Sequence, residues 1–498
     1  MELRGLGDAG LAFQVRLPRG SAWIWGGLTM LCLFRLWAAS RVSLFPDEAY
    51  YWVWSRALAA GYFDHPPMVA LWIRAGTAIA GQTALGVRLL GPISQLVAAW
   101  LIARTARDLL PEAGEQGSLG AGLLMNATLF WGVAGEVMTP DVPLLFFWVA
   151  ALWAMGRLIA TGQAAWWLAV GLFVGLALAS KYTAILFPAG ILIWMLEPSR
   201  RFWWRSPWPY FGGAIATALF APVLWWNFTH HWASFVRQGG RLDDFKLGRA
   251  LGSEFGLVFG QIAAATPVVA ALCALGAVAV ARRWREPAAG LLAAMIWPGA
   301  ALFVEHALGD RVQANWPAVL YPAAVIAAGL VASRWRWPGI WFGLAVGGLV
   351  LVQFAFGLVR LPRNWSVVPM RPETVREFTA GIAQAVGNSP YIATDDYGLA
   401  ALLAWYLPGN TQVLALDYRW PNFDLPPAEP VIRSAPGILM LRLRPDPGSH
   451  WADKTLFERL PSVRGQQIEL LYHLSGIKPG DWQVQGAVMP RRDKIVGD

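Results

Sequence analysis

The sequence has few charged residues, few cysteines and no glycine-rich phosphate loop. Asp, Glu, Lys and Arg make up 14% of its 498 residues, whereas soluble domains contain about a quarter. The two cysteines, Cys32 and Cys273, lie far apart inside apolar runs, so the sequence predicts neither a disulfide nor a cysteine-based metal site. Because no phosphate loop is present, a nucleotide site in the C-terminal region is unsupported.

Apolar residues dominate instead. Hydrophobic residues make up 56% of the chain, which contains 30 Trp. Many windows of about 20 residues carry almost no charge, and this is the length that crosses the hydrocarbon core of a bilayer. The sequence therefore predicts a polytopic α-helical membrane protein with about eleven spans. The predicted spans are 21–39, 84–104, 118–135, 141–160, 165–180, 182–197, 208–227, 256–281, 288–304, 315–333 and 338–359.

The formal net charge of +9 is explained by short arginine-rich loops, so we predict no nucleic-acid partner. These basic loops alternate along the chain with the loops of the opposite face, and basic loops face the cytoplasm. The N-terminus is also basic, and no small-residue cleavage site follows it, so we expect a retained first span. The opposite, extracytoplasmic face then receives the first loop 40–83, the loop 228–255 and the chain from about 360 onward.

Two domains are expected. Residues 1–359 form the transmembrane domain, with its first extracytoplasmic loop at 40–83, and residues 360–498 form a small extracytoplasmic α/β domain. Three strand-like runs begin at Tyr391, Val413 and Gly437, and a helix is expected at about 397–406 between the first two. In the first loop, apolar and aromatic residues recur at helical spacing from Asp47, and a second interfacial helix is expected from Pro67.

The first loop places acids at a membrane boundary, where they are costly unless solvated, paired, metal-bound or chemically active. Asp47 and Glu48 open a predicted helix, so they could simply stabilise its N-terminus. Alternatively, one of them is a general base that accepts a proton from an attacking alcohol. Adjacent helical residues diverge by about 100°, and we predict that Asp47 points to the site.

Asp64 and His65 precede Pro66 and Pro67, which fix the backbone. The pair could ligate a divalent metal, contact a phosphate through a protonated His65, shape the site, or form an ordinary turn. One acid and one histidine do not make a metal site, and the sequence identifies no cofactor. Additional ligands would have to come from His230, His231 or His306.

Further polar residues are predicted on the same face. Asp141 begins a span, where it could cap the helix or add a second carboxylate that holds acceptor or sugar. Lys181 lies between two apolar runs and could either snorkel or provide the counter-charge for a phosphate leaving group. Asn315 could cap the span that begins beside Trp316, an interface anchor. Other cations on this face are Arg237, Arg241, Lys246 and Arg311.

Together these motifs resemble a known family. Pro46-Asp47-Glu48-Ala49-Tyr50-Tyr51, the run from Gly61 to Pro67, Thr139-Pro140-Asp141, Ser180-Lys181-Tyr182 and Asn315-Trp316-Pro317 are similar to the bacterial branch of the dolichyl-phosphate-mannose-type protein mannosyltransferases. These are GT-C-fold glycosyltransferases, and the lipid A aminoarabinose and galacturonic acid transferases are relatives. The resemblance covers roughly 40–360.

The resemblance implies an activity and a set of site residues. The family moves a sugar from a polyprenyl-phosphate donor to an acceptor, with inversion in a single displacement, at the extracytoplasmic face of the bacterial inner membrane. It implies Asp47 as the catalytic base and Asp141 as a second catalytic acid. Its motifs assign substrate binding to Glu48, Tyr50, Tyr51, Asp64, His65, Lys181, Tyr182 and Asn315. Asp64 also matches a metal-proximal acid of the aminoarabinose transferases, although His65 replaces their lysine.

The acceptor stays open: lipid A, another glycan, a lipid or a protein would each fit. A transporter or flippase of lipid-linked sugars is the alternative function, but transporters tend to have midplane polar residues in two related halves. A non-catalytic membrane scaffold is the third interpretation.

Overall fold

The computed structural model describes most of the chain. The described residues are 22–239, 247–331, 334–359, 372–416, 419–428, 430–431, 436–441, 454–461, 468–474 and 487–492. Arg241 and Lys246, two of the candidate cations, lie outside this part of the chain. So do residues 360–371, and the predicted domain boundary at 359/360 therefore stays a prediction.

The first two thirds of the chain are helical. The α-helices of this part are α1 Ala22–Arg41, α2 Pro46–Arg56, α3 Met68–Ala80, α4 Ala84–Arg88, α5 Leu90–Leu109, α6 Gly114–Asn126, α7 Leu129–Gly132, α8 Asp141–Thr161, α9 Trp166–Leu178, α10 Leu186–Met195, α11 Trp208–Thr229, α12 Ala233–Gly239, α13 Leu247–Ala265, α14 Pro267–Arg282, α15 Pro287–Gly309, α16 Tyr321–Ala327 and α17 Arg336–Phe356. Short 3₁₀ helices cover Pro111–Ala113, Ala134–Glu136, Tyr182–Ile185, Pro198–Arg205, Trp316–Leu320 and Ala328–Leu330.

Among the described residues, six helices are long and apolar enough to cross a membrane, and nine spans result if each of three bent pairs counts as one. Two predicted spans are not single straight helices. Residues 118–135 contain a bend of 64° between Asn126 and Leu129. Residues 256–281 do not form a single helix, because the chain turns by 108° between α13 and α14. Thr266 at the turn has a left-handed φ of 67°, and Pro267 cannot continue a hydrogen-bonded helix. The exact number of spans, predicted as about eleven, stays a prediction.

The arginine-rich loops lie at one end of the bundle. Arg157 at the C-terminal end of α8 bonds Asp108 at 3.1 Å, and Arg283 bonds Glu112 at 2.7 Å. Asp141 is at the opposite end of α8, a helix of 21 residues that extends about 30 Å. The predicted basic loops and the predicted polar face are therefore separated by about one bilayer core.

The C-terminal region contains a six-stranded sheet. Its strands are β1 Tyr391–Thr394, β2 Gln412–Ala415, β3 Gly437–Leu441, β4 Lys454–Pro461, β5 Ile468–Leu474 and β6 Ala487–Val488, in the order β4-β5-β3-β1-β2-β6. Central β1 is parallel to β2 and β3, and the other pairings are antiparallel. The helices described in this region include α18 Pro372–Val386 and α19 Tyr397–Tyr406, and a 3₁₀ turn covers Trp420–Asn422. Helix α19 occupies the range expected from the sequence.

The sheet region and the first loop share one hydrophobic core. Helices α2 and α3, which were expected in this loop, contribute residues such as Trp52 and Ile73, and α19 contributes Leu403 and Trp405. The rings of Trp52 and Trp405 meet edge to face with centroids 4.9 Å apart. This packing holds the carboxyl ends of β1 and β2 over the first loop.

Candidate active site

A cavity of about 520 Å³ lies between the first loop, the helical bundle and the sheet region. Every catalytic or substrate-binding residue that the family resemblance implies lines it except Glu48. The polar lining residues are Asp47, Tyr50, Tyr51, Asp64, His65, Thr139, Asp141, Lys181, Tyr182, Thr183, Arg237, Gln238, Glu305, His306, Gln313, Asn315, Tyr397 and Arg419. Motifs that are far apart in sequence therefore converge on one site.

Asp47 and Glu48 point in different directions, as their adjacent positions on α2 require. The Asp47 side chain lies on the cavity, and its Oδ1 accepts a hydrogen bond from the Tyr397 hydroxyl at 2.9 Å. Glu48 is fully buried. Its Oε1 accepts bonds from Arg88 Nε at 2.7 Å and from the Met138 amide at 2.9 Å.

Glu48 therefore has a structural role, and the prediction that it binds substrate is wrong for this geometry. Its second oxygen bonds Arg88 Nη2 and the amide of Phe45. Arg88 also donates to the carbonyls of Val42 and Ser43. A buried carboxylate is costly unless hydrogen bonds and a counter-charge compensate its loss of hydration. The Glu48–Arg88 network supplies both, and it connects α2, α4 and the chain after α1. Arg88 is 40 residues from Glu48 in the sequence, and no local pattern indicates that the two side chains pair.

Asp64 is surrounded by hydrogen-bond donors. Tyr50 donates its hydroxyl to Asp64 Oδ2 at 2.9 Å, and Arg419 Nη1 is 3.2 Å from the same oxygen. Arg237 Nε lies 3.7 Å from Asp64 Oδ1. Two guanidinium groups on one carboxylate disfavour a divalent cation there.

The wider donor set also fails to fit a metal. Within the described ranges, no three His, Cys, Asp or Glu side chains are grouped so that they could hold a metal ion. His306 lines the cavity, whereas the His230 ring stacks on Trp226. The residues present therefore do not support the predicted metal at Asp64.

Asp141 and Lys181 form an ion pair on the cavity wall. Lys181 Nζ donates to Asp141 Oδ1 at 2.7 Å, and Asn315 Nδ2 donates to Asp141 Oδ2 at 2.8 Å. Lys181 is only 7% exposed, so it neither snorkels nor points away from the site. Asn315 makes no side-chain cap to the helix that follows it, and its amide instead orients the Asp141 carboxylate.

Tyrosines supply neutral hydroxyl groups. Burial, followed by the nearby Asp64 carboxylate, raises the pKa of Tyr50 well above its ordinary value. Burial and then Asp47 have the same effect on the pKa of Tyr51. Both side chains therefore stay protonated at physiological pH and act as donors. Tyr182 bonds Ser234 at 2.7 Å and thereby holds α12, which carries Arg237.

Several polar cavity residues were not singled out from the sequence, and Gln238, Tyr397 and Arg419 are among them. Gln238 donates to the Asp64 carbonyl at 2.9 Å. Arg419 lies over the Tyr397 ring, 3.9 Å from its centroid. Their type and local pattern give no signal of a site. In open α/β sheets, ligands bind outside the carboxyl ends of the parallel strands. Tyr397 and Arg419 both follow such strands, and this position could have marked them as candidates.

Known proteins share this fold and parts of this sequence. The family model described as dolichyl-phosphate-mannose-protein mannosyltransferase matches residues 64–226. Lipid A galacturonosyltransferase RgtD from Rhizobium johnstonii is 29% identical over 405 residues, which is 76% of this chain and 82% of RgtD. The crystal structure of ArnT from Cupriavidus metallidurans bound to undecaprenyl phosphate superposes with a TM-score of 0.65 at 16% identity, covering 91% of this chain and 98% of ArnT. Apo ArnT gives 0.64.

The chain has a GT-C fold and is a glycosyltransferase. This confirms the predicted fold class and enzyme class, and the flippase alternative finds no support. The transferase is a multi-pass membrane protein like ArnT and RgtD. The family match includes Asp64, Asp141 and Lys181 but begins after Asp47, so the role of Asp47 depends on the site geometry.

Proposed function

We propose that the transferase moves a sugar from a polyprenyl phosphate to a cell-envelope acceptor, with Asp47 as general base. The observation that carries this proposal is the convergence of Asp47, Asp64 and the Asp141–Lys181 pair on one cavity at the end of the bundle opposite the basic loops. A carboxylate on a cavity that also contains buried cations suits an alcohol nucleophile and a phosphate leaving group.

The reaction is a single displacement. The acceptor O–H bond breaks, and its proton moves to an oxygen of Asp47. The acceptor oxygen forms a bond to the anomeric carbon as the bond from that carbon to the phosphate oxygen breaks. Polyprenyl phosphate departs with the electron pair, and the configuration inverts. General-base assistance of this kind contributes roughly 10²–10⁴-fold to the rate.

The leaving phosphate needs positive charge. Lys181 is the buried candidate, oriented by Asp141 through a contact of 2.7 Å. Arg237 is a second candidate, because its side chain is 35% exposed and it lies 3.7 Å from Asp64, so it can turn toward an incoming anion. Donors oriented before the reaction stabilise developing charge at little reorganisation cost.

The active site faces the extracytoplasmic side of the bacterial inner membrane in this proposal. The arginine-rich loops at the other end support this orientation. Lipid A is the first acceptor to test, and a galacturonic acid donor the first sugar, because RgtD is a lipid A galacturonosyltransferase. Mass spectrometry of envelope lipids and glycans from a deletion strain would identify the missing sugar mass.

Asp47→Asn tests the base. We expect transfer from a radiolabelled polyprenyl-phosphate sugar to fall by roughly 10²–10⁴-fold, because the amide cannot accept the proton. Asp108→Asn is the matched control: it removes a carboxylate that pairs with Arg157 at the opposite end of the bundle, and transfer should stay at the wild-type rate. Wild-type transfer by Asp47→Asn would show that another group is the base.

A further inference from the structure

Two residues of the sheet region reach into the cavity from neighbouring positions. Tyr397 begins α19, three residues after β1 ends at Thr394, and Arg419 follows β2, which ends at Ala415. Strands β1 and β2 are adjacent and parallel. Ligand sites of open α/β sheets form outside the carboxyl ends of the parallel strands. Here these ends face the transferase cavity.

The two residues form a chain of contacts between two of the cavity carboxylates. Asp64 holds Arg419 by an ion pair of 3.2 Å. The Arg419 guanidinium lies 3.9 Å from the centroid of the Tyr397 ring, a geometry in which a cation is attracted to the ring face. The hydroxyl of Tyr397 then donates to Asp47 Oδ1 at 2.9 Å.

Packing fixes the position of Tyr397 relative to Asp47. The Tyr397 ring meets the Tyr50 ring at 4.7 Å, and Tyr50 is on the same helix as Asp47. Trp420, next to Arg419, meets Tyr50 edge to face at 5.4 Å. Because these rings are in or against the core shared with α2, the hydroxyl of Tyr397 approaches Asp47 from a rigid platform.

We propose that the α/β region completes the transfer site, with Tyr397 as the positioning residue for the Asp47 carboxylate and Arg419 as the group that holds Tyr397. This inference rests on the proposed role of Asp47. The hydroxyl selects the carboxylate rotamer that faces the acceptor, and it favours the ionised form that accepts a proton, since a hydrogen bond donated to a carboxylate stabilises its charge. The C-terminal region therefore acts on the transfer reaction through the Asp47 carboxylate.

Other ionisable groups face Asp47 and must be considered. Tyr51 on α2 interacts electrostatically with Asp47, Asp64, Asp141 and Tyr397, and burial raises its pKa well above the ordinary range, so it stays neutral. Asp64 forms an ion pair with Arg419, and Asp141 forms one with Lys181. His65 lines the cavity beside Tyr51. Tyr397→Phe leaves these contacts in place, because it removes a single oxygen and keeps the ring under Arg419.

The test is the pH profile of kcat/KM for Tyr397→Phe, measured in the full-length transferase with a polyprenyl-phosphate sugar. Its acidic limb reports the ionisation of the essential base. We expect this limb to move to higher pH by about 0.5–1 unit, because one hydrogen bond to the ionised carboxylate is lost. A merely structural role of Tyr397 would lower the amount of folded protein without moving the limb.

Tyr406→Phe is the matched control. It removes a hydroxyl from the same helix, where Tyr406 accepts a bond of 2.8 Å from the Leu44 amide, but it does not touch the cavity carboxylates. Its acidic limb should coincide with that of the wild type. If Tyr397→Phe also retains the wild-type limb while Asp47→Asn is inactive, the positioning role is wrong and the base assignment stands. If Asp47→Asn is active at the wild-type rate, the base assignment itself fails.

Discussion

At the scale of single residues, burial separates the carboxylates into different roles. Asp47 lies on the cavity surface, where it can meet an acceptor. Both oxygens of Asp141 are occupied, one by Lys181 and one by Asn315, so this carboxylate orients its partners. Glu48 is completely enclosed and serves the structure. Neighbouring acids of the same chemistry differ because their surroundings differ.

We predict that Glu48→Gln destabilises the transferase. The change leaves the guanidinium of Arg88 buried without its carboxylate partner, and removing one partner of a buried ion pair costs about 3–5 kcal/mol. Thermal unfolding of the purified protein in detergent should show a clear fall in Tm. Asp108→Asn, which disrupts a partly exposed pair, should cost no more than about 1 kcal/mol. Equal Tm values for both variants would contradict the structural role of Glu48.

At the scale of elements, close helix crossings support the cavity wall. Helices α9 and α11 touch backbone to backbone at two glycines. A Cβ atom on Gly171 would lie 2.1 Å from the Gly212 carbonyl oxygen, and one on Gly212 would lie 2.4 Å from the Trp167 carbonyl oxygen. Small residues permit this approach in membrane helices. Helix α11 then leads to Asn227, which bonds Tyr182 and Ser234 beneath α12.

Gly212→Ala should push these helices apart. The added methyl group meets backbone rather than a mobile side chain, and overpacking of this kind costs about 1–3 kcal/mol. Gly213→Ala is the control, since a Cβ atom there has no neighbour within 4 Å and alanine is the better helix former. Thermal unfolding should rank Gly212→Ala below the wild type and Gly213→Ala at or above it. The opposite ranking would refute the close crossing.

At the scale of the whole molecule, the cavity lies where two units with different architecture meet. The helical bundle supplies Asp141 and Lys181, the first loop supplies Asp47 and Asp64, and the sheet region supplies Arg419. The first loop and the sheet region have a common core. We infer that removal of the C-terminal region would expose this core and remove Tyr397 and Arg419 from the cavity wall.

The proposed orientation predicts which ends of the molecule are accessible from outside the cell. Asn410→Cys places a thiol on the exposed turn between α19 and β2, and Gln163→Cys places one on the exposed turn between α8 and α9. The native Cys32 and Cys273 are buried, so background labelling should be low. In intact spheroplasts, a membrane-impermeant maleimide should label Asn410→Cys, whereas Gln163→Cys should react only after permeabilisation. The reverse pattern would place the site in the cytoplasm.

Local patterns in the sequence were sufficient for several features. Hydropathy predicted a polytopic helical protein, the arginine loops predicted a common face, and α19 was located correctly from its own residues. The motifs around Asp47, Asp64, Asp141 and Lys181 predicted residues that do line one cavity. These features depend on composition and on spacing within a few turns of chain, so no knowledge of long-range packing is needed.

Only the tertiary structure decided how those residues are paired. Asp47 meets Tyr397 across 350 positions of sequence, and Asp64 meets Arg419 across 355. The divergence of Glu48 from Asp47 follows from helix geometry alone, but the partner of Glu48, Arg88 of α4, was found only through the packing of α4 against α2. Contacts of this kind depend on how helices and a sheet pack against one another, which hydropathy and short motifs do not encode. The sequence by itself determined the class of protein and most of its polar site, and packing determined the partners of each carboxylate.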